Sequence, residues 1–296
     1  MKYIDVHSHL HDKAFDSKVE IDGFNIERDL LIRALKEKDI CTITIGTDYY
    51  TSLAAKILAE SNENIYYTIG VHPHDNLNAT FDEKEFKYLL GPKCVAIGEC
   101  GLDYFYLKKN YEKIIKVSYE DYIKKEKNRQ KELFLKQINF ARENNLPLML
   151  HGRPSQKNEI DNPNGMDAYH DMINILRAVP REASAKWGNV HFFVGNIEIA
   201  NKFMELGFDF SLGGVLTISR DYDEVIRHIP IERIHAETDS PYVVPRGADG
   251  KRVSKINSPL NIEIIINKIA EIKHVDEDKV RTQLIENAKR VFDFLL

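Results

Sequence analysis

The sequence predicts an α/β fold closed into a (β/α)8 barrel. Three observations point there: short apolar, β-rich runs alternate with helical patterns, eight such units fit within 296 residues, and no repeat or low-complexity linker interrupts them. The alternation argues for parallel pairing through right-handed crossovers. An open doubly wound sheet is the other architecture this rhythm allows. Strands are expected at 3–6, 41–46, 65–71, 94–99, 148–151, 189–194, 208–212 and 233–238. Helical patterns over 25–38, 51–61, 82–90, 127–144, 167–178, 197–206 and 221–228 separate them, and two further helices end the chain. A single domain, residues 1–296, is expected. Two stretches break the rhythm, 105–131 and 154–165. Both follow strands that carry candidate ligands, which in a barrel places them on one rim.

Composition sets the broad class. Apolar residues at 43% and charged residues at 29% are the proportions of a globular protein with a sizeable core. A net charge of −5 advertises no global basic field, so any polyanion contact has to be local. Cys41, Cys94 and Cys100 are odd in number and lack CxxC spacing, which speaks against a disulfide framework or zinc ribbon and for a reducing compartment. The first residues run straight into a strand, and no apolar run is long enough to span a bilayer. A cytoplasmic protein is expected.

Side chains alternate along a strand, so His7 and His9, spaced i and i+2 at its end, aim their imidazoles the same way. Two converging imidazoles are half of a metal site. Glu99 ends the fourth strand between Gly98 and Gly101, where the backbone is free to turn close to a ligand. His151 ends the fifth strand, His191 lies in the sixth, and Asp239 closes the eighth. Taken singly, each reads as well as a satisfied histidine or a capping carboxylate. Together they all fall at the C-terminal ends of predicted strands, which in a barrel surround one pocket. Six N and O donors exceed what one tetrahedral ion requires and suit two divalent ions bridged by a carboxylate, Zn, Mn, Fe or, less well, Mg. Cys100 should point away from its neighbour Glu99 and reads as packing, as do Cys41 and Cys94 inside strand patterns.

The motifs Asp5-Val6-His7-Ser8-His9, Ile69-Gly70-Val71-His72-Pro73-His74, Gly98-Glu99-Cys100-Gly101-Leu102-Asp103-Tyr104, His151-Gly152-Arg153, His191 ahead of Gly195, and Glu237-Thr238-Asp239-Ser240-Pro241-Tyr242 run nearly end to end. In this order the chain resembles the TatD family of metal-dependent deoxyribonucleases, within the amidohydrolase-like barrels. The resemblance implies a DNA substrate and a 3′–5′ exonuclease-like hydrolysis of phosphodiester bonds. It implies one metal held by His7, His9 and Asp239, another by His151 and His191, and Glu99 bridging them. It also implies that His72 contacts or protonates the phosphate. Arg153 offers a planar fork suited to phosphate, and equally to a surface ion pair. His74 and His11 read as residues of an outer layer or the surface. Two positions depart from the family pattern. Phe192-Phe193-Val194-Gly195 stands where the family has a Cys-Phe-Ser-Gly-like run, and Ile256-Asn257-Ser258-Pro259 where it has Arg-Asn-x-Pro. These bear on substrate preference more than on the chemistry.

The 105–131 stretch carries Lys108, Lys109, Lys113, Lys116, Lys124, Lys125, Lys127, Arg129 and Lys131, interleaved with Tyr106, Tyr111, Tyr119 and Tyr122. Basic charge with aromatics suits a nucleic-acid strand. A solvated helical excursion over the barrel's flank is the other reading. Two rival functions stand beside the nuclease: an amidohydrolase or esterase acting on a small C–N or ester bond, and a non-catalytic scaffold. A glutamate on the fourth strand, rather than a lysine that can be carbamylated, favours phosphoester chemistry. A complete ligand set disfavours the scaffold.

Overall fold

The computed structural model describes residues 1–16, 19–21, 24–74, 80–112, 118–156, 165–180 and 187–293, with 19–21 and 24–26 by backbone alone. Eight strands pair in sequence order: β1 (Tyr3–Ser8), β2 (Ile40–Ile45), β3 (Ile65–Ile69), β4 (Cys94–Asp103), β5 (Leu148–Arg153), β6 (Gly188–Val190), β7 (Asp209–Leu212) and β8 (Ile234–Ala236). Every pairing between neighbours is parallel. At the seam, Ser8 bridges Ser240, Asp239 N donates to His7 O at 2.8 Å, and His9 N donates to Ser240 O at 2.7 Å. The sheet is therefore a nearly closed TIM-type barrel and not an open doubly wound sheet.

The helices are α1 (Arg28–Glu37), α2 (Tyr49–Glu60), α3 (Glu83–Lys87), α4 (Leu107–Tyr111), α5 (Tyr119–Glu143), α6 (Asp167–Ala178), α7 (Ile197–Glu205), α8 (Asp223–His228), α9 (Ile262–Lys273) and α10 (Glu277–Phe292). Several begin where a short polar side chain satisfies an orphan N–H: Asp48 accepts from Thr51 N at 2.8 Å, Asn196 from Ile199 N at 2.9 Å, and Ser118 from Asp121 N at 3.1 Å. Each such cap stabilises its helix by about 1 kcal/mol. A large apolar cluster joins strand residues such as Ile65, Ile97 and Phe210 to helix residues such as Phe134, Phe203 and Ile269. A smaller one gathers residues of β1 to β5 with Ala288, Val291 and Phe292 of α10. Among the described residues no helix is long and apolar enough to cross a membrane.

Some boundaries differ from expectation for identifiable reasons. β4 continues four residues past Glu99 because Cys100 to Asp103 keep pairing with Leu150 to Arg153 of β5 after β3 has ended. β6 stops at Val190, since Phe192 takes a left-handed φ of 46° and breaks the ladder. His191 therefore follows the sixth strand instead of lying in it. The described part of the 105–131 stretch is largely helical, because the Ser118 cap, with Glu120 and Asp121 in the first turn, starts α5 at Tyr119. An antiparallel ribbon of Val19–Ile21 with Phe24–Ile26 was not expected at all. Lys113, Lys116 and residues 157–164 of the second insertion lie outside the described residues.

Candidate metal centre

Strand alternation sets His7 and His9 side by side, with their Nε2 atoms 3.3 Å apart. Glu99 reaches them from β4, which passes so close to β5 that a Cβ on Gly98 would meet Met149 O at 2.4 Å. Glu99 Oε2 lies 3.5 Å from His7 Nε2 and 3.7 Å from His9 Nε2. Asp239 Oδ1 lies 3.6 and 3.5 Å from the same two nitrogens. Asp239 holds a left-handed φ of 52°, pinned by its bond to His7 O. Such a backbone costs on the order of 1–3 kcal/mol and persists where the surroundings enforce it.

The other oxygen of Glu99 turns the opposite way. Oε1 lies 2.7 Å from His151 Nδ1 and 2.8 Å from His191 Nε2, which are 3.2 Å from each other. The His7 and His191 rings stack at 3.9 Å. One carboxylate thus presents one oxygen to each of two donor groups, and all six expected residues meet around it.

The spacing tests whether these donors fit a cation. Metal–ligand distances of about 2.1 Å put the edges of a tetrahedron at about 3.4 Å and those of an octahedron at about 3.0 Å. The 3.3–3.7 Å separations among His7, His9, Glu99 and Asp239 and the 2.7–3.2 Å separations among Glu99, His151 and His191 are of this order, so both donor groups are compact enough to share a cation. Three of the four outer ring nitrogens are also arranged for it. His9 Nδ1 is 3.1 Å from Ile45 O, His151 Nε2 is 3.2 Å from Asp103 Oδ2, and His191 Nδ1 is 3.5 Å from Glu237 Oε1. A carbonyl or carboxylate behind an imidazole fixes its tautomer and frees the inner nitrogen for a cation.

The electrostatics say the same. Burial works against charge on His191, but Glu99 and Glu237 outweigh it and hold the imidazole well above its ordinary value. Burial also opposes His151, yet bonds to Asp103 and Glu99 raise it to about 9. Glu99 stays well below the usual carboxylate range because the charges of His191 and His72 and the bonds to His151 and His191 overcome its burial. His7 is pushed down to about 4 by burial and by its neighbour His191. The pocket attracts positive charge, and divalent ions compete with protons for it.

Three carboxylates received no role from the sequence although they lie inside its motifs. Asp103, four residues after Glu99 on the same strand, backs His151. Glu237, two before Asp239, accepts from Phe192 N at 2.7 Å and from the Ser211 hydroxyl while facing His191. Asp5 accepts from Thr238 N at 2.8 Å and the Thr238 hydroxyl at 2.6 Å, tying β1 to the segment before Asp239. The even spacings Asp5/His7, Glu99/Asp103 and Glu237/Asp239 were the available signal.

His72 is more deeply set than a rim residue. It is buried, its Nε2 is 3.7 Å from Glu99 Oε1, and its ring meets His151 edge-on at 4.3 Å. Arg153 lies with its guanidinium 4.0 Å from the Phe105 ring centre and 5.0 Å from that of Tyr106. His74 stacks on Tyr106 at 5.0 Å, and His11 Nδ1 is 2.9 Å from Thr44 Oγ1, so both belong to an outer layer. Tyr242, 53% exposed, sets its ring beside His9 at 5.8 Å. Cys100 is buried with its thiol toward Ile97 O and Met149 O, and burial pushes its pKa up, which is packing and not ligation. On α5, Lys127, Arg129 and Lys131 are engaged by Asp167, Glu126 and Asp171, while Lys124 and Lys125, and Lys109 on α4, are exposed.

Known proteins resemble this chain along nearly its whole length. The family model described as TatD related DNase matches residues 4–293. The uncharacterized metal-dependent hydrolase YabD of Bacillus subtilis (strain 168) is 32% identical over 292 residues, covering 97% of this chain and 98% of its own. The 3′-5′ ssDNA/RNA exonuclease TatD of Yersinia pseudotuberculosis is 29% identical over 287 residues, covering 94% and 98%. The crystal structure of YjjV, a TatD homolog from Escherichia coli K12, superposes with a TM-score of 0.74 at 22% identity over 99% of this chain and 98% of that one, a likeness of fold. A barrel of this topology, with these motifs over nearly its whole length, belongs to the TatD-related DNase family and is a metal-dependent hydrolase.

Proposed function

We propose that this single barrel domain is a two-metal phosphodiesterase acting on DNA ends in a 3′–5′ exonuclease-like manner, in the cytoplasm. The observation that carries the reading is Glu99, whose two oxygens face two separate donor groups. His7, His9, Glu99 and Asp239 would hold one divalent ion, and Glu99, His151 and His191 the other. Such a pair, when bound, polarises a phosphoryl oxygen and acidifies water toward neutrality. Asp239, at the mouth beside His7 and His9, takes the proton of the attacking water. Glu99 keeps the two halves in register. His72 and Arg153 balance charge on the phosphate, Arg153 through the guanidinium N–H donors that lie over Phe105. The relative named as a single-strand DNA and RNA exonuclease supports a nucleic-acid substrate, and exposed Lys109, Lys124 and Lys125 offer backbone contacts. The test is hydrolysis of a 3′-labelled single-stranded oligonucleotide with and without chelator. Metal-dependent release of mononucleotides, lost in Asp239→Ala, is expected. Cleavage of an amide or carboxylic-ester substrate with the oligonucleotide left intact would refute the proposal.

A further inference from the structure

Helix α5 carries two buried glutamines, Gln130 and Gln137, seven residues apart and so on one face. Each uses both ends of its amide on the backbone of a single residue. Gln130 Oε1 accepts from Asp103 N at 2.9 Å, and its Nε2 donates to Asp103 O at 2.9 Å. Gln137 Oε1 accepts from Val71 N at 2.7 Å, and its Nε2 donates to Val71 O at 3.0 Å. β3 ends at Ile69, so Val71 and the far edge of β4 at Asp103 have run beyond their shared ladder, whose last pair is Ile69 with Ile97. The two amides stand in for the missing strand partners.

The two clamped residues are not arbitrary. Val71 precedes His72, whose own N donates to Thr47 O at 2.8 Å, so the segment is strapped from both sides. Asp103 backs His151, and its carboxylate also accepts from Phe105 N at 3.0 Å. Between the glutamines' targets, Arg129 adds a bond to Pro73 O at 2.6 Å. The geometry points to Gln130 and Gln137 as positioning residues: through paired amide bonds, α5 sets Asp103 behind His151 and His72 against Glu99. The helix that follows the 105–112 excursion is thereby the gauge for two side chains of the centre. This inference rests on the two-metal reading for the role of His151, while the clamp itself does not.

The experiment compares wild type, Gln130→Leu, Gln137→Leu, the conservative Gln130→Glu and Gln137→Glu, and Lys136→Ala on the exposed face of α5 as a control. Three quantities are read: cobalt(II) affinity by titration of its visible absorption, the shape of that spectrum, and kcat and KM on bis(p-nitrophenyl) phosphate well below each Tm. Loss of the Gln130 clamp should weaken cobalt binding about tenfold, as losing an outer partner of a ligating histidine does, and alter the spectrum. Loss of the Gln137 clamp should leave the spectrum intact and lower kcat about tenfold at unchanged KM, the mark of a misplaced group that acts in the transition state. The Glu variants, which keep the acceptor oxygen, should fall between, and they remain usable where a Leu variant does not fold. Lowered Tm with wild-type cobalt affinity, spectrum, kcat and KM would overturn the inference, leaving the glutamines as structural plugs. A wild type inert toward the phosphodiester would refute the proposed reaction, and cobalt binding would still decide whether Gln130 positions the site.

Discussion

Buried histidines and carboxylates meet at both ends of this barrel, and the two clusters differ in who supplies the counter-charge. At the N-terminal ends of the strands, Asp209 is fully buried with His235 Nε2 at 3.0 Å, Arg233 at 3.1 Å and the Arg290 guanidinium also on it. The chain provides the cations, and the cluster is closed. At the C-terminal mouth, Glu99 and Asp239 face only imidazoles: among the described residues neither has a Lys or Arg partner. Imidazoles that must stay neutral to ligate cannot balance two carboxylates, so the mouth calls for cations from outside. Residue type alone would have scored the two clusters alike, and the presence or absence of a guanidinium separates them.

The comparison breaks most visibly at Glu99. Glu99→Gln keeps the volume and removes the charge shared by both halves, so kcat should fall by more than roughly 100-fold, the upper end for losing an outer partner of a ligand. Steady-state assays on the oligonucleotide check this, and the folded state should survive, as circular dichroism would show. The reciprocal change is Asp209→Ala. It leaves cations facing a buried hole and should destabilise by about 3 kcal/mol, the low end for a broken buried pair because Arg290 and Arg233 are partly exposed. Urea denaturation measures that loss, and activity per folded molecule should not move.

A smaller effect is the pH dependence of chelated protein. His151, raised to about 9, and His191, also raised, contribute stability that is complete below the unfolded histidine value and is lost as pH rises through their folded values. In chelator, Tm should therefore fall between about pH 6.5 and 9, and added divalent ion should flatten the slope. An equal slope with and without metal would mean that protons and cations do not share the pocket. Least is expected of Cys100→Ala: about 1 kcal/mol for the lost packing of a buried thiol, with metal binding and kcat unchanged.

How far the sequence could be read follows the same division. The six residues at the mouth were legible because strand ends, alternation and motif order are local patterns, and in a barrel they have one place to converge. Their backers were not: Asp103 and Glu237 sit in the motifs, but only folding brings them to face the outer nitrogens of His151 and His191. The Asp209 cluster was invisible, since its partners lie 24, 26 and 81 residues away with no shared pattern. The helix was expected only from 127, although Ser118, Glu120 and Asp121 spell an N-terminus for α5 at Tyr119, because the interleaved Lys and Tyr residues suit a nucleic-acid contact and a helical excursion alike. The end of β6 at Val190 depends on a left-handed Phe192, which no propensity for phenylalanine announces.

The most direct test is an anomalous difference map from crystals grown with manganese. Two peaks are expected on either side of the Glu99 carboxylate, one among His7, His9 and Asp239 and the other at His151 and His191. No peak at the mouth, or peaks that Glu99 does not touch, would contradict the two-metal reading.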